Sequence, residues 1–425
     1  MSSKQISESL TFYLVGGAVR DQLLNRPILE KDYVVIGSTP EQMLSLGFTQ
    51  VGKDFPVFLH PKTKEEYALA RTEKKQGQGY TGFTCNASPD VTLEQDLARR
   101  DLTVNAMALD KDGNITDPFN GLKDLENRIL RHVSNAFTED PLRVLRVARF
   151  ASRYYYLGFT VADETIALMT QISESGELLA LSAERVWKEI ERSLTERNPE
   201  VFIQTLRECK ALELLWPELN NLWGIPNPAQ WHPEICSGIH TMMVLQQACK
   251  LTEDPVTRFA ALCHDLGKSV TPRHLWPSHH GHEKAGLPLI EQFCKKYRVP
   301  NQYKKLALLV SEFHLHCHKA FELNPKTILR VFDKINVWRD PTILPQVLLS
   351  CQADFNGRLG NEDAPYPQAD YLTKLYNACT KVTAKPYVEQ GLKGQKIKEA
   401  IYKARLTMIT SLKNCAKTHD GKQSI

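Results

Sequence analysis

The chain has 425 residues, 42% hydrophobic and 24% charged, with a net charge of +4, an ordinary globular composition with room for roughly two to four domains. So mild a charge excludes a polybasic nucleic-acid binder and leaves RNA contact to local patches. Ten cysteines without a C-x-x-C pair give neither a zinc ribbon nor a disulfide framework. No apolar run makes a signal core or a membrane span, so a cytoplasmic protein with free thiols is expected.

Phe12 to Val15 reads as a strand leading into Gly16-Gly17, after which Ala18-Val19-Arg20-Asp21 opens an amphipathic segment. Two glycines let the backbone approach a ligand closely, and amides at a helix start can hold phosphates. Arg20, about one turn in, can point toward the same phosphates. A plain strand-to-helix turn uses the same residues. Ile28 to Gly37 reads as a β-branched strand. Residues i and i+2 share a strand face, so Glu30 and Asp32 project together, away from Lys31. Paired acids suit Mg²⁺ that also touches substrate phosphates; an exposed edge of alternating charge is the other reading.

Ser38-Thr39-Pro40-Glu41 starts a helix that Gly47 ends, and Val57 to Arg71 reads as a hairpin. Glu73 to Phe83, glycine-rich and basic, is either a loop over an active site or a hairpin tip. Arg99-Arg100-Asp101-Leu102-Thr103-Val104-Asn105-Ala106 then sets two guanidiniums and an amide beside an apolar run. Glu139-Asp140-Pro141 precede a helix carrying Arg143, Arg146 and Arg149, which form one slanted row. No acid occurs from Pro141 to Val161, so the row is expected to be unpaired and to face phosphates or base edges.

Helical periodicity dominates onward, with Trp187 and Trp216 on apolar stripes and Ile225 to Pro233 as a linker. Cys263-His264-Asp265-Leu266-Gly267-Lys268 follows an apolar run, with His240 upstream and His282, His314 and Asp354 downstream. Imidazoles with carboxylates suit a divalent transition metal and the water it activates. His240, His264 and Asp265 lead this set, Asp354 follows, and His282 and His314 are optional. His279 and His280, in a Pro- and Gly-flanked loop, and His316 and His318, near a helix end, read as solvated. Cys263 reads as a small buried hydrophobe. Gly267-Lys268-Ser269 is not a P-loop, because Leu262 stands where its first glycine belongs. The glycosylation patterns at Asn86 and Asn114 carry no weight in a chain that is not secreted.

In order, LVGGAVRD, the acid-x-acid strand, RRDLTVNA, DPFNGLKDL (Asp117 to Leu125), LRHV (Leu130 to Val133) and EDPLRVLRVARF resemble the bacterial class II tRNA nucleotidyltransferases, the CCA-adding enzymes. With the histidine region, the chain is similar to their multifunctional CCA protein subtype. The resemblance is dense over residues 13–150 and reaches about residue 360. It implies an α+β fold: a polymerase-β-like nucleotidyltransferase head with a mixed sheet (1–137), an all-helical neck and body (138–225), an HD phosphohydrolase domain (226–360) and a helical tail (361–425).

The resemblance also implies roles. Gly17, Arg20 and Arg100 would bind a triphosphate, and Glu30 and Asp32 would hold catalytic Mg²⁺. Asp140 and Arg143 would offer CTP or ATP a Watson–Crick-like edge, with Arg146 and Arg149 in support. The implied reaction is untemplated addition and repair of the tRNA 3′-CCA, releasing pyrophosphate. His240, His264, Asp265 and Asp354, with His282 and His314, would hold a transition metal, Ni²⁺, for 2′,3′-cyclic phosphodiesterase, 2′-nucleotidase and phosphatase activities. The implied partner is tRNA, either touched or not by the basic stretch Leu392 to Lys413; no membrane is implied, and the chain is a monomer or homodimer. One departure stands out: the family has Asp-x-Asp where this chain has Glu30-Lys31-Asp32. A longer, freer carboxylate arm predicts weaker Mg²⁺ binding and an altered Mn²⁺ preference. The alternatives are a poly(A) polymerase of the same superfamily, or a metal phosphohydrolase with a decayed nucleotidyltransferase site.

Overall fold

The computed structural model describes residues 9–51, 57–75 and 83–420. Residues 76–82, the middle of the expected Glu73–Phe83 loop, lie outside the described residues. The chain forms two compact units, Met1–Leu215 and Trp216–Ile425.

The first unit opens with β1 (Thr11–Val15), α1 (Gly17–Leu23), β2 (Asp32–Ile36), α2 (Pro40–Ser45), β3 (Thr49–Val51), β4 (Val57–Leu59) and β5 (Glu66–Leu69). Then come β6 (Thr72–Lys75), β7 (Phe83–Asn86), α3 (Leu93–Ala98), β8 (Ala108–Leu109) and β9 (Ile115–Thr116). Seven strands make one sheet in the order β3-β4-β5-β2-β1-β8-β9. It is mixed: β2 runs parallel to β5 and antiparallel to β1. The β-branched run in β2 has a simple cause, since both faces of the sheet are covered. Val34 joins Val15, Leu97 and Ala106 on one side, while Val35 joins Met43, Phe58 and Leu69 on the other. Thr39 caps α2 by accepting from the Gln42 amide, and β4 and β5 form the expected hairpin, Phe58 facing Tyr67.

The expected strand starts late. Asp32 is its first residue and pairs with Val15, the last of β1. Beyond Val15 the chain turns at Gly16, whose φ of +69° sends it into α1. No ladder partner is left for Glu30, which therefore sits on the entry loop and not on a strand face shared with Asp32.

The rest of this unit is helical apart from a two-stranded ribbon: α4 (Gly121–Glu126), β10 (Ile129–Leu130), α5 (Leu142–Tyr154), β11 (Thr160–Val161), α6 (Asp163–Glu174), α7 (Ala183–Leu194), α8 (Pro199–Glu208) and α9 (Ala211–Leu215). Helix α5 packs against α7 and α8. Its apolar face of Val144, Leu145, Val147, Ala148 and Ala151 is buried, and Trp187 on α7 joins the core as expected.

The second unit is all helical: α10 (Pro217–Asn220), α11 (Ser237–Leu251), α12 (Pro255–Cys263), α13 (His282–Lys296), α14 (Asn301–His318), α15 (Pro325–Ile335), α16 (Ile343–Asn356), α17 (Pro367–Thr380), α18 (Lys385–Glu389) and α19 (Gln395–Asp420). Asp254 caps α12 by accepting from the Val256 and Thr257 amides, with Pro255 opening the helix. Buried on all sides, α12 is gripped by α11, α14 and α16. Trp216 stacks on Phe293 at 3.8 Å between ring centroids. Cys263 is buried, and burial pushes its thiol well above the usual range, so it is the inert hydrophobe expected. No helix among the described residues is long and apolar enough to cross a membrane.

Candidate active site and metal centre

The glycine turn, the carboxylates and the basic motif meet in the first unit. A Cβ on Gly16 would stand 3.1 Å from an Arg100 Nη atom, and one on Gly17 would stand 3.2 Å from an Arg20 Nη atom. Both guanidiniums thus lie against the turn, and small residues make room for them. Arg100 pairs with Asp96 at 3.1 Å, yet its Nε is buried with no hydrogen-bond partner. Burial raises the Asp32 carboxyl, the Glu30 charge raises it further, and Arg100 opposes both. Two neighbouring carboxylates next to an unsatisfied guanidinium donor are the chemistry of a site for a divalent cation and a phosphate anion.

A polar chain runs from this turn to the arginine helix. Arg20, buried and lying over the Phe150 and Tyr154 rings, donates to Asn105 and, through Nε at 3.0 Å, to Asp21. Asn105 donates to Asp101 Oδ1 at 2.9 Å, and Arg146 grips Asp101 Oδ2 at 2.7 Å. Burial opposes the charge on Asp101, but Arg146 and Asn105 hold its carboxyl below the usual range.

The arginine row is therefore not unpaired. Arg149, buried, meets Glu189 at 2.6 Å. Arg143 donates to the Ala136 and Arg99 carbonyls, both at 2.6 Å. Helix α5 itself carries no acid, and the partners come from the RRDLTVNA segment and from α7. Asp140 also has a partner that the sequence did not reveal: Arg185 Nη2 lies 2.7 Å from its Oδ2, while Oδ1 accepts from the Leu142 amide at 3.1 Å.

The histidine set converges in the second unit. His264 ends α12, and its Nδ1 donates to the Ala261 carbonyl at 2.7 Å. Its Nε2 faces inward without a hydrogen-bond partner, 3.2 Å from Asp265 Oδ2 and 3.8 Å from Asp354 Oδ1. His240 Nε2, from α11, is 3.1 Å from Asp354 Oδ1. On the other side of Asp265, His282 Nε2 is 3.1 Å and His314 Nε2 3.8 Å from Oδ1. Burial pushes His314 down to about 3, so its ring is neutral and its lone pair is available. Among the described residues, His240–His264–Asp265 and Asp265–His282–His314 form donor sets that share Asp265, and a third set, His232–Glu234–His240, shares His240. Inward lone pairs and orphaned buried atoms fit a divalent metal. All six expected residues, His240, His264, Asp265, His282, His314 and Asp354, are brought together.

Gly267 makes the arrangement possible. A Cβ there would lie 1.9 Å from the His282 carbonyl, so only glycine lets the turn after Asp265 press against the start of α13. Lys268, also buried, pairs with Asp265 Oδ2 at 2.6 Å.

Three expectations are corrected. The Ile225–Pro233 stretch is not a bare linker: Pro226 bridges to Cys236, and Asn227 accepts from Lys268 at 3.0 Å. Just past it, Glu234 Oε1 stands 3.0 Å from His240 Nδ1 and 2.8 Å from His232 Nδ1. His279 is buried, not solvated, with Nε2 donating to the Pro226 carbonyl at 2.8 Å. His318 is no exposed polar residue either, since its Nε2 meets Asp354 Oδ2 at 2.6 Å. His280 is exposed and His316 half-buried. The cue for Glu234 was available: a His-x-Glu pair six residues before His240.

Residues 12–131 match the Poly A polymerase head domain, residues 158–222 the probable RNA and SrmB-binding site of polymerase A, and residues 238–338 the HD domain. A solved CCA-adding enzyme in an apo form is 20% identical, with 95% of this chain and 89% of that one covered and a TM-score of 0.63. The Thermotoga maritima CCA-adding enzyme complexed with tRNA is 19% identical, with 95% and 88% covered and a TM-score of 0.60. The Bacillus stearothermophilus CCA-adding enzyme in complex with CTP is 23% identical, with 99% and 96% covered and a TM-score of 0.59. Three successive regions of the chain are thus similar to a Poly A polymerase head domain, to its RNA-binding site and to an HD domain. The fold is that of the solved CCA-adding enzymes.

Proposed function

We propose that the first unit adds and repairs the 3′-terminal CCA of tRNA, using CTP and ATP without a nucleic-acid template and releasing pyrophosphate. The observation that carries this reading is the convergence of Glu30, Asp32 and Arg100 beside the Gly16 turn. Glu30 and Asp32 would hold Mg²⁺, which when bound supplies charge neutralisation at the triphosphate and at the attacking hydroxyl. Gly17 leaves room for the Arg20 guanidinium beside the triphosphate, Arg20 is held there by Asn105 and Asp21, and Arg100 offers its buried Nε to the phosphates. Arg143 is fixed by two carbonyls and Asp140 by Arg185. Acceptor and donor are thus held rigid before a base arrives, as discrimination between bases requires. Arg146 and Arg149 support that edge through Asp101 and Glu189. The test is incorporation by purified protein on tRNAs ending before the CCA, after one C and after both. Two C residues, one A and a stop are expected; an open-ended A tail would move the reading to a poly(A) polymerase.

The second unit supports a separate activity, hydrolysis of phosphoesters such as 2′,3′-cyclic phosphates, at the His–Asp centre. His240, His264, Asp265 and Asp354, with His282 and His314, would hold the metal, for which Ni²⁺ is the candidate; it supplies an activated water at neutral pH. Nickel-stimulated hydrolysis that disappears in His264→Ala is expected. Equal hydrolysis by that variant would remove the centre from the reaction.

A further inference from the structure

Behind the metal centre, Asp354 is held by His318, which Tyr366 backs in turn, and the hydrolytic reading gives neither a part. His318, the last residue of α14, sets its Nε2 at 2.6 Å from Asp354 Oδ2. Its Nδ1 is 3.1 Å from the hydroxyl of Tyr366, on the loop before α17. Tyr366 is buried, and burial pushes its pKa far up, so the hydroxyl keeps its proton. That O–H donates to His318 Nδ1, which leaves the imidazole N–H on Nε2, aimed at Asp354. The two carboxylate oxygens are therefore divided. Oδ2 accepts from His318, and Oδ1 turns to His240 Nε2 at 3.1 Å, Arg358 Nη2 at 3.6 Å and His264 Nε2 at 3.8 Å.

An Asp side chain has two torsions and, left alone, can present either oxygen or both. With His318 on Oδ2, it is Oδ1 that is turned toward His240 and His264. We propose that His318, oriented by Tyr366, is a positioning residue for the His–Asp centre, fixing Asp354 as a one-oxygen metal ligand. Because Tyr366 places the proton on Nε2, His318 is not itself a ligand. The inference rests on the reading that Asp354 binds metal. It extends that site by a layer lying outside the histidine and aspartate pattern of the sequence.

The experiment is titration of the full-length protein with Co²⁺ alone, followed by its visible absorption. Losing a hydrogen bond to a ligand typically costs about 10–100-fold in metal affinity, and His318→Ala is expected to fall in that range with an altered Co²⁺ band. His318→Gln, whose amide can still donate to Oδ2, should recover most of the affinity, and Tyr366→Phe should lie between. Asp354→Asn is the separate control: wild-type Co²⁺ binding there would remove the ligand reading itself. If Asp354→Asn is impaired while His318→Ala keeps wild-type affinity and spectrum, the positioning role is overturned. If circular dichroism shows His318→Ala unfolded, Tyr366→Phe decides by the same criterion, since it removes a single oxygen.

Discussion

His282 and His314 face each other with their Nε2 atoms 3.3 Å apart, and each ring has its Nδ1 committed to main-chain carbonyls, His279 for one and Val310 and Ser311 for the other. Each Nδ1 is a donor, so both Nε2 atoms are left to face the space beside Asp265, and burial keeps the His314 ring neutral with its lone pair on Nε2. A cation placed there would be held by both rings. Asp265 Oδ1, buried and without a hydrogen-bond partner, completes the group. Ni²⁺ or Co²⁺ should therefore raise the melting temperature, and a chelator should reverse the rise. An ion at 100 times its Kd adds about 2.7 kcal/mol of stability, and His314→Ala should shrink that gain. A melt that does not respond to either ion would remove the cation from this arrangement.

Glu189 meets the buried Arg149 at 2.6 Å. Glu189→Ala leaves a guanidinium buried without its carboxylate, a change that costs about 3–5 kcal/mol. The double variant Arg149→Met, Glu189→Leu removes both charges and should recover much of that loss. Urea unfolding of the first unit measures both. Equal stability of the single and double variants would show that the charge itself is not what destabilises.

Acid sensitivity should report on Asp101. Its folded carboxyl lies below its ordinary value, because Arg146 and Asn105 outweigh burial. The associated stability is therefore complete above the unfolded value of about 4 and is lost as pH falls below it. Asp101→Asn, which carries no titrating group, should be less stable at neutral pH and show a flatter acid limb between about pH 5 and pH 2. The measurement is unfolding free energy against pH, and parallel curves for the two proteins would exclude Asp101 as a source of the slope.

Local patterns in the sequence anticipated local facts. The capped helix at Pro40, the hairpin of Phe58 and Tyr67 and the buried stripe of α5 all follow from period, caps and turn residues. So did the histidine set, because each member carries its own chemistry and a helix or turn to present it. What escaped was pairing between distant segments. Nothing on α5 indicates that Arg149 will meet Glu189, forty positions away, or that Asp140 will meet Arg185. His318 was indistinguishable from His316 in sequence, and only the docking of α16 and the Tyr366 loop separates them. The Glu30 strand was misjudged for a related reason: strand length depends on the partner strand, and β1 ends where Gly16 turns.

The loop position of Glu30 also bears on how it would hold a metal ion. On a strand, Glu30 would have had its direction fixed by the pleat, and one extra methylene would have carried its carboxylate past Asp32. On the entry loop, Glu30 is exposed and free of the ladder, so its longer arm must be ordered anew each time an ion binds. Glu30→Asp shortens the arm and removes a torsion, which should tighten Mg²⁺ binding a few-fold and reduce any preference for Mn²⁺, whose geometry is less demanding than the near-ideal octahedron of Mg²⁺. Asp32→Ala, by contrast, should abolish nucleotide incorporation under either ion. Incorporation measured against Mg²⁺ and Mn²⁺ concentration separates the cases. If Glu30→Asp leaves both metal curves where they were, the loop already places the carboxylate as well as aspartate can, and the departure from Asp-x-Asp has no consequence for the metal.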